Sequence, residues 1–297
     1  MSVRFVAEIS SNHNRDLRRA KQFIEAAAEI GCDAVKFQLF KIEELFAPEI
    51  LHNSASHRKR RDWELPIEYI QPLSAHAHDL GLEFGCTPFY LDAVDILEPY
   101  VDFYKIASYE ILWKELFMKC SSTGKPIVFS IGMATLDEIE DAIVTIKMGK
   151  TNSVSILHCN SAYPSPIKDS NLNTIHYLRD KLKDIVKPIR LNVGWSDHSC
   201  DPAVVYRAVH HHHASEIEFH LDLDGKGDEF SAGHCWLPEE IETVIHSVQN
   251  GFNADGESGV YISKSEEPDR NWRADPSDGL RPFKSVRKNF KCEKENN

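Results

Sequence analysis

Residues 83–108 read EFGCTPFYLDAVDILEPYVDFYKIAS, and this stretch carries the pattern that decides the fold. Two short apolar runs, 83–87 and 103–107, flank a segment of helical periodicity at 93–99. Short apolar runs are typical of buried strands, and a helix between two such strands joins them in parallel. The stretch therefore predicts a strand–helix–strand unit of an α/β fold.

The same alternation continues through most of the chain. It predicts eight strands, at 4–9, 34–38, 83–87, 103–107, 127–130, 154–158, 190–194 and 216–220. It also predicts eight helices, at 17–30, 67–80, 93–99, 114–123, 136–147, 172–182, 202–212 and 238–249. Eight such pairs within about 250 residues match a (β/α)8 TIM barrel. A doubly wound open sheet is the alternative, but its phosphate-binding signatures GxGxxG and GxxxxGK(S/T) are missing.

The chain is expected to divide into a barrel and a tail. Residues 1–250 would form the TIM barrel, and residues 251–297 a polar C-terminal extension that is too short to be an independent domain. The connection 41–66 is longer than the usual few residues. Because it follows the second strand on the catalytic face of a barrel, we expect a lid or a sugar-binding loop.

Composition limits the class of protein. The chain has 297 residues, of which 42% are hydrophobic, so it can bury a substantial core. It contains no apolar run of about 18 residues. It passes from Met1 directly into a predicted strand, so we expect neither a membrane span nor a signal peptide. A soluble, cytoplasmic protein is predicted.

The charge balance and the cysteines exclude further classes. Lysine and arginine number 34 against 46 acidic residues, and this net charge of −12 disfavours binding of nucleic acid. The basic run at 57–61 is expected to be solvated surface, with attraction of a substrate as the alternative. No CxxC spacing occurs, so neither a disulfide framework nor a Cys-rich zinc module is expected. Most of the seven cysteines are expected to be buried thiols: Cys32, Cys86, Cys120, Cys159, Cys200, Cys235 and Cys292.

Polar residues accumulate where the predicted strands end, and in a TIM barrel the carboxyl ends of the strands carry the catalytic groups. Two lysines at these ends, Lys36 and Lys105, could bind a phosphate or carboxylate, with hydroxyl groups adding directional hydrogen bonds. The hydroxyl groups are those of Ser108, Ser130 and Ser196. The alternative is that each lysine pairs with an acid inside the barrel. A Schiff-base lysine is not excluded by the spacing.

Two histidines, His198 and His220, end adjacent strands and could bind a transition metal through neutral imidazole. Glu8 and Asp197 are candidates to hold a water or to orient a ligand, although either could instead orient Lys36 or a histidine. A single histidine is more often structural than a ligand. The run of four histidines at 210–213 falls in the seventh helix, where consecutive residues point around the cylinder, so it is interpreted as structural.

Seven motifs, in order, resemble the signature segments of the N-acetylneuraminate (sialic acid) synthase family. They cover roughly residues 4–222. They read AEI with NH at 7–13, VKFQ at 35–38, CTPF at 86–89, YKIAS with Glu110 at 104–110, GKP with SIGM at 124–133, LHC with YP at 157–164, and GWSDH at 194–198.

The resemblance implies a reaction and a set of site residues. The expected reaction condenses phosphoenolpyruvate with an N-acetylmannosamine-like aldehyde, releasing phosphate and forming a nonulosonate for polysaccharide biosynthesis. Manganese is the expected metal, with Mg2+ or Co2+ as alternatives, on His198 and His220. Glu8, Lys36, Lys105 and Glu110 would be catalytic. Phosphoenolpyruvate would contact Lys36, Lys105, Ser108, Ser130, Ser161, Tyr163 and Ser196, and the sugar would contact Glu8, Gln38 and Glu110.

The chain departs from the family pattern in two places. Family members usually continue into a C-terminal antifreeze-like domain that places an arginine over the sugar of a partner subunit, and we expect this chain to lack that domain. Because family members tend to dimerise through it, a homo-oligomer stays an open alternative for this chain. We expect Arg281 of the tail to replace that arginine. The loop at 225–236 reads GKGDEFSAGHCW instead of the usual Gly-Pro-Asp pattern. Two other functions stay open: a Schiff-base aldolase, and an inactive barrel that serves as a sugar-binding or assembly subunit.

Overall fold

The computed structural model describes residues 3–289. Its first compact unit, up to Ala254, is built on β-strands in a single sheet. The strands are β1 (Arg4–Glu8), β2 (Ala34–Leu39), β3 (Glu83–Pro88), β4 (Phe103–Ile106), β5 (Ile127–Ser130), β6 (Ser153–Cys159), β7 (Arg190–Asp197), β8 (Glu216–Leu221) and β9 (Cys235–Trp236). Neighbouring strands pair in parallel, and pairing of β1 with β8 closes the barrel. The predicted (β/α)8 fold is therefore confirmed.

Helices lie between and after the strands along the chain. They are α1 (Leu17–Glu29), α2 (Ile42–Leu45), α3 (Pro48–Asn53), α4 (Ala55–Lys59), α5 (Ile70–Asp79), α6 (Leu91–Leu97), α7 (Lys114–Ser122), α8 (Leu136–Lys147), α9 (Asn173–Leu182), α10 (Pro202–Tyr206) and α11 (Pro238–Asp255). Within residues 3–289, no helix has both the length and the apolar character that crossing a membrane requires.

Helix α1 illustrates how the sequence specifies these elements. The side chain of Asp16 accepts hydrogen bonds from the backbone N–H groups of Arg18 and Arg19 and so caps the helix. Its buried face repeats every three or four residues, at Ala20, Phe23, Ile24 and Ala27. Burial of a side chain such as Phe23 stabilises the fold by about 1.5–3 kcal/mol.

The interior of the barrel begins with an apolar layer near the amino ends of the strands. The layer consists of Val6, Ala34, Phe103, Val128 and Leu157, all nearly inaccessible to solvent. Residues two apart in a strand point to the same side of the sheet. The next interior layer, toward the carboxyl ends, is therefore made by residues two positions further along each strand.

The structure differs from the prediction in several segments. The connection 41–66 contains three short helices, α2 to α4, and the backbone N–H of Ile42 donates to Glu64 Oε1 at 2.8 Å. Residues 58–61 of the basic run are exposed there, whereas His57 is half-buried against Phe46; Arg58 donates to backbone carbonyls, and Arg61 pairs with Glu43. Strand β7 extends to Asp197 because β6 stays paired with it as far as Ser196. Ser196 and Asp197 therefore belong to the strand.

The seventh helix is shorter than predicted. Helix α10 ends at Tyr206 and continues as a π-helical turn, Arg207–His211, so the histidine run begins inside this turn and ends beyond it. Helix α11, in contrast, runs past residue 249 to Asp255.

Within the described residues, those from Asp255 to Asn289 form a second compact unit. It contains a 3-10 turn, Arg270–Trp272, and helix α12 (Lys284–Arg287). The Asp275 carboxylate accepts hydrogen bonds from the backbone N–H groups of Lys284 and Ser277, and these bonds lower its pKa.

Candidate active site

A polar layer lies directly on the carboxyl side of the apolar layer. Its members stand two positions after apolar residues: Glu8 after Val6, Lys36 after Ala34, Lys105 after Phe103, Ser130 after Val128 and Cys159 after Leu157. Strands β7 and β8 add Ser196 and Glu218, which are register partners. All of these side chains are buried. The two-residue period of a strand thus brings charged groups that are distant in sequence into one interior layer.

Two lysines and two carboxylates meet in this layer. Lys36 Nζ contacts Glu8 directly and lies 3.9 Å from Glu218 Oε2. Lys105 Nζ lies 3.6 Å from Glu218 Oε1 and donates to Ser130 Oγ at 2.7 Å. The two lysines expected to bind an anion therefore lie together, but each also faces an acid, as the alternative interpretation required. The formal charges of the four groups cancel.

The pKa values of these groups follow from burial and pairing. Burial alone would lower the pKa of Lys36, but Glu218 and Glu8 outweigh it and raise that pKa. Burial lowers the pKa of Lys105. The negative charge of Glu218 acts in the opposite direction, but the positive charge of Lys36 counteracts Glu218, so the pKa of Lys105 stays lowered. Burial would raise the pKa of Glu218, but Lys105 and Lys36 lower it to about 2. Ser196 Oγ donates to the same carboxylate at 3.0 Å. Glu218 is therefore ionised at neutral pH.

Two further serines, Ser108 and Ser161, lie on the loops that follow β4 and β6. Their hydroxyl oxygens are 2.9 Å apart. Gly132, after β5, permits this approach, because a Cβ atom at that position would overlap the hydroxyl of Ser161. Three successive strand ends therefore bring hydroxyl groups to the same side of the mouth.

Glu110 ends the turn that begins at Ser108. Its Oε2 atom is buried and has no hydrogen-bond partner among residues 3–289. Burial raises the pKa of Glu110 to about 7, against the opposing charge of Lys105. This carboxyl group can therefore gain or lose a proton near neutral pH.

Gln38 connects the lysine–carboxylate centre to the loop after β8. Its Nε2 donates to Glu8 Oε1 at 2.6 Å and to Ser10 Oγ at 3.1 Å. Ser10 Oγ in turn donates to Glu229 Oε1 at 2.5 Å. The predicted sugar-facing residues Glu8 and Gln38 thus belong to one hydrogen-bond network with that loop.

Tyr163 lies among three histidines at the barrel mouth. Its ring centroid is 4.2 Å from that of His198, 4.9 Å from His234 and 5.8 Å from His220. The rings of His198 and His220 are 5.4 Å apart, so the two predicted ligands lie side by side. Burial and the neighbouring His220 lower the pKa of His198 to about 3. Since neutral His198 uses Nδ1 to donate to the carbonyl of Asn160 at 2.7 Å, its Nε2 keeps a lone pair.

Two of these rings, those of His220 and His234, belong to a group of four residues with converging donor atoms. His220, Glu229, His234 and Cys235 each offer one ligand atom, and the four atoms lie within 4.8 Å of one another. Glu229 Oε2 is 3.2 Å from His220 Nδ1 and 3.6 Å from His234 Nε2. Pairing of β9 with β8 places Cys235 opposite His220. A mixed set of nitrogen, oxygen and sulfur donors suits a divalent transition metal.

The loop that carries this donor group is held by Asn12. Its Nδ2 donates to the carbonyl of Leu221 at 3.0 Å, and its Oδ1 accepts from the N–H of Glu229 at 2.9 Å. Residue 227 in this loop must be glycine, because a Cβ atom at that position would overlap side-chain oxygens of Asp222 and Asn12. Packing around one glycine therefore sets the position of Glu229.

Several site residues were not predicted. Glu229 and His234 lie in the loop 225–236, which the sequence marked only as a departure from the family pattern. Glu218 lies inside the predicted strand 216–220, and the sequence pattern assigned it no role. Cys235 is a buried free thiol, as expected, but its place in the donor group was not predicted. The concentration of His, Glu and Cys within 220–235 was the available signal.

Two predicted residues have other surroundings. Asp197 Oδ1 accepts from the indole N–H of Trp195 at 3.1 Å, and Oδ2 from that of Trp236 at 3.1 Å, so the carboxylate joins β7 to β9. Arg281 belongs to the second compact unit, and its contact with a sugar stays a prediction. The six cysteines within the described residues are free thiols, and Cys292 lies outside those residues.

Comparisons with known proteins agree on a family. The sequence is 34% identical to an N,N'-diacetyllegionaminic acid synthase of Campylobacter jejuni, over 90% of this chain and 81% of that protein. It is 35% identical to a pseudaminic acid synthase of Helicobacter pylori, over 66% of this chain and 59% of that protein. The crystal structure of an N-acetylneuraminic acid synthetase of Leptospira borgpetersenii superposes with a TM-score of 0.77 at 26% identity, covering 94% and 93% of the two chains.

The relatives are synthases of three different nonulosonic acids, so the comparisons support the type of enzyme more strongly than one substrate. The NeuB family model matches residues 23–259, which include seven of the eight barrel strands. This match confirms the family resemblance drawn from the motifs, and the chain belongs to the NeuB family.

Proposed function

We propose that the protein condenses phosphoenolpyruvate with an N-acetylmannosamine-like amino-sugar aldehyde, releasing phosphate and forming a sialic acid-type nonulosonate. The observation that carries the proposal is the position of the lysine–serine layer, directly beneath the histidine-rich mouth. An anion bound by the first would face an aldehyde held at the second. The named relatives, which make legionaminic, pseudaminic and neuraminic acids, support the same reaction class.

Lys105 is the residue best placed to bind the anion. Lys36 is in direct contact with Glu8, whereas Lys105 Nζ is 3.6 Å from its nearest carboxylate and is held mainly by Ser130. It can turn toward a phosphate or carboxylate without breaking a tight ion pair. The hydroxyl groups of Ser108, Ser130, Ser161 and Ser196, the phenol of Tyr163 and the ammonium of Lys36 would complete the site.

The bonds that change are defined by the substrates. C3 of phosphoenolpyruvate forms a C–C bond to the aldehyde carbon, whose C=O π bond breaks and whose oxygen takes up a proton from solvent, and water adds to C2. The resulting tetrahedral centre expels phosphate by cleavage of the C–O bond. Glu110, whose pKa is about 7, would accept the proton of the attacking water, while Glu8 and Gln38 orient the sugar. The lysines and serines would stabilise the negative charge throughout.

The donor group at the mouth fits a divalent metal. Its donor atoms converge, and Nδ1 of His234 is buried without a hydrogen-bond partner in residues 3–289. His220, with His198 beside it, would hold the ion; the resemblance favours Mn2+, with Mg2+ or Co2+ as alternatives. When bound, the metal would supply Lewis-acid polarisation of the aldehyde oxygen.

The first test measures phosphate release from phosphoenolpyruvate with manganese and a panel of amino-sugar aldehydes. EDTA and His220→Ala should abolish release. Phosphoenolpyruvate labelled with 18O in its bridging position should transfer the label to phosphate, since the C–O bond breaks. Release without the label, or release that does not depend on a sugar, would refute the condensation. Tight binding with no release would favour a sugar-binding or assembly role.

A Schiff-base aldolase is the second candidate, because Lys105 has a lowered pKa. Borohydride in the presence of pyruvate would then attach pyruvate covalently to the wild-type protein, and Lys105→Met would prevent it. We expect no adduct. The tail is tested separately: Arg281→Ala should weaken sugar binding, and an unchanged sugar affinity would eliminate Arg281 as the replacement arginine.

A further inference from the structure

The donor group at the barrel mouth contains a sulfur atom, and this determines which metal it can hold. We propose that Glu229, His234 and the thiolate of Cys235 join His220 as metal ligands, and that this set selects Zn2+, Co2+ or Fe2+ over Mn2+ and Mg2+. Coordination replaces the thiol proton, which passes to solvent, with a metal–sulfur bond. The site thereby acquires a preference that differs from the one suggested by sequence resemblance.

The geometry of the four residues is close to that of a bound ion. A tetrahedral centre with bonds of about 2.0 Å to nitrogen or oxygen and 2.3 Å to sulfur separates its ligand atoms by about 3.3–3.6 Å. Two of the observed separations, 3.2 Å and 3.6 Å, fall at this spacing, and all lie within 4.8 Å. The remaining atoms, which lie within 4.8 Å of one another, need to approach by about 1.5 Å at most.

The backbone fixes three of the four ligands. His220 and Cys235 are register partners in the β8–β9 pair, and His234 directly precedes Cys235. Glu229 is held by the hydrogen bond from its N–H to Asn12. A site whose ligands are placed by strand pairing needs little reorganisation when an ion binds.

The surroundings supply the outer contacts that metal ligands usually have. Asn12 Nδ2 lies 3.6 Å from the sulfur of Cys235 and can donate to a thiolate there. Ser10 and Ser11 donate to Glu229 Oε1, which orients the carboxylate toward the histidines. His220, His234 and Cys235 are each less than a tenth exposed. These features describe a pre-formed, largely dry site.

Selectivity follows from the chemistry of the donors. Thiolate and imidazole are suited to zinc and iron, and imidazole also to copper and nickel, whereas Mg2+ and Mn2+ prefer carboxylate, carbonyl and water. Only one of the four donors is an oxygen. Affinity should therefore follow the order of the divalent transition metals, with Mn2+ below Fe2+, Co2+ and Zn2+.

The orientation of the metal toward an aldehyde rests on the proposed function; the ligand set does not. Tyr163 and His198 border the donor group on one side, and a substrate oxygen entering there would become an additional ligand. His198, which keeps a lone pair on Nε2, could contact that ligand or the metal.

Cobalt titration of the metal-free, full-length protein tests the proposal. Wild type should bind one Co2+ and develop a thiolate-to-cobalt charge-transfer band in the near ultraviolet. Cys235→Ser should lose this band and bind Co2+ at least roughly tenfold more weakly. One equivalent of Zn2+ should displace the cobalt, and a large excess of Mg2+ should not.

Cys32→Ser is the matched control, because Cys32 is another buried free thiol but precedes β2 at the opposite end of the barrel. Its spectrum should equal that of wild type. Stoichiometric Co2+ binding without a thiolate band, or with a band that survives in Cys235→Ser, would overturn the proposal.

A second measurement needs no variant. Zinc K-edge X-ray absorption of wild type should show one sulfur neighbour at about 2.3 Å, and a shell of nitrogen and oxygen alone would also overturn the proposal. Neither experiment depends on turnover. A sulfur-ligated metal in a protein that releases no phosphate would refute the proposed function and leave this inference intact. Sugar-dependent release of phosphate by a protein whose metal has no sulfur ligand would refute this inference and leave the proposed function intact.

Discussion

Neutralising Glu218 should destabilise the protein strongly at neutral pH. The carboxylate lies between Lys36 and Lys105, at 3.9 Å and 3.6 Å, and Glu218→Gln would leave two buried ammonium groups with only Glu8 to balance them. Loss of one member of a buried ion pair costs about 3–5 kcal/mol. The pKa of about 2, lowered from 4.5, gives an independent estimate of about 3 kcal/mol.

The pH dependence provides the sharper test. Because the folded-state pKa is depressed, the stabilisation from Glu218 is complete above pH 4.5 and is lost as the pH falls toward 2. The free energy of unfolding of wild type and Glu218→Gln, measured by urea titration, should therefore differ most at pH 7, differ by less than half as much at about pH 3, and converge only at about pH 2.

Glu216→Gln is the control, since it makes the same change two residues earlier in β8. Burial raises the pKa of Glu216 despite its pairing with Arg4 at 3.0 Å, so a neutral amide should cost less there at pH 7. The loss of unfolding free energy in Glu216→Gln, relative to wild type, should become smaller as the pH rises. Equal losses in the two variants at pH 7, or a Glu218→Gln deficit that does not change with pH, would refute the reasoning.

Three further predictions concern the site. Lys105→Met should weaken phosphoenolpyruvate binding by roughly 10- to 150-fold, because a hydrogen bond to a charged group contributes about 1.5–3 kcal/mol. Calorimetry measures the Kd, and an unchanged Kd would exclude Lys105 from the proposed anion site. In Glu110→Gln, kcat/KM should lose a rise with pH centred near 7, the pKa of the ionising carboxyl; a rise that persists would assign it to another group. Gly227→Ala should displace the loop that carries Glu229, and so lower the metal affinity and reduce the stability by about 1–3 kcal/mol. Cobalt titration measures the first effect and thermal melting the second. Wild-type values for both would show that the loop accommodates a side chain.

The barrel was predictable because its strands carry a simple signal. Each strand places apolar residues toward the helices at every second position, and the predicted bounds of all eight lie within three residues of the observed ones. Polar residues inside the barrel, such as Lys36 and Lys105, stood out for the same reason: a charged group at an interior position needs a partner.

The partners themselves were less accessible to sequence reasoning. A pattern shows that Glu218 points inward, but the distances that pair it with two lysines depend on strand register. Strand β9 has two residues, too few to show a period, so strand periodicity does not predict the pairing that brings Cys235 to His220. The short helices of 41–66 likewise depend on tertiary contacts such as that of Glu64 with Ile42.

The apolar layer at the base of the barrel has a kinetic consequence. Val6, Ala34, Phe103, Val128 and Leu157 seal the lower interior, so substrates and products must share the upper entrance. The proposed anion site lies deeper than the donor group at the mouth, since Glu218 precedes His220 in β8. A sugar bound first would obstruct the way to the lysines. We therefore expect an ordered mechanism in which phosphoenolpyruvate enters before the sugar, and phosphate leaves after the sugar product.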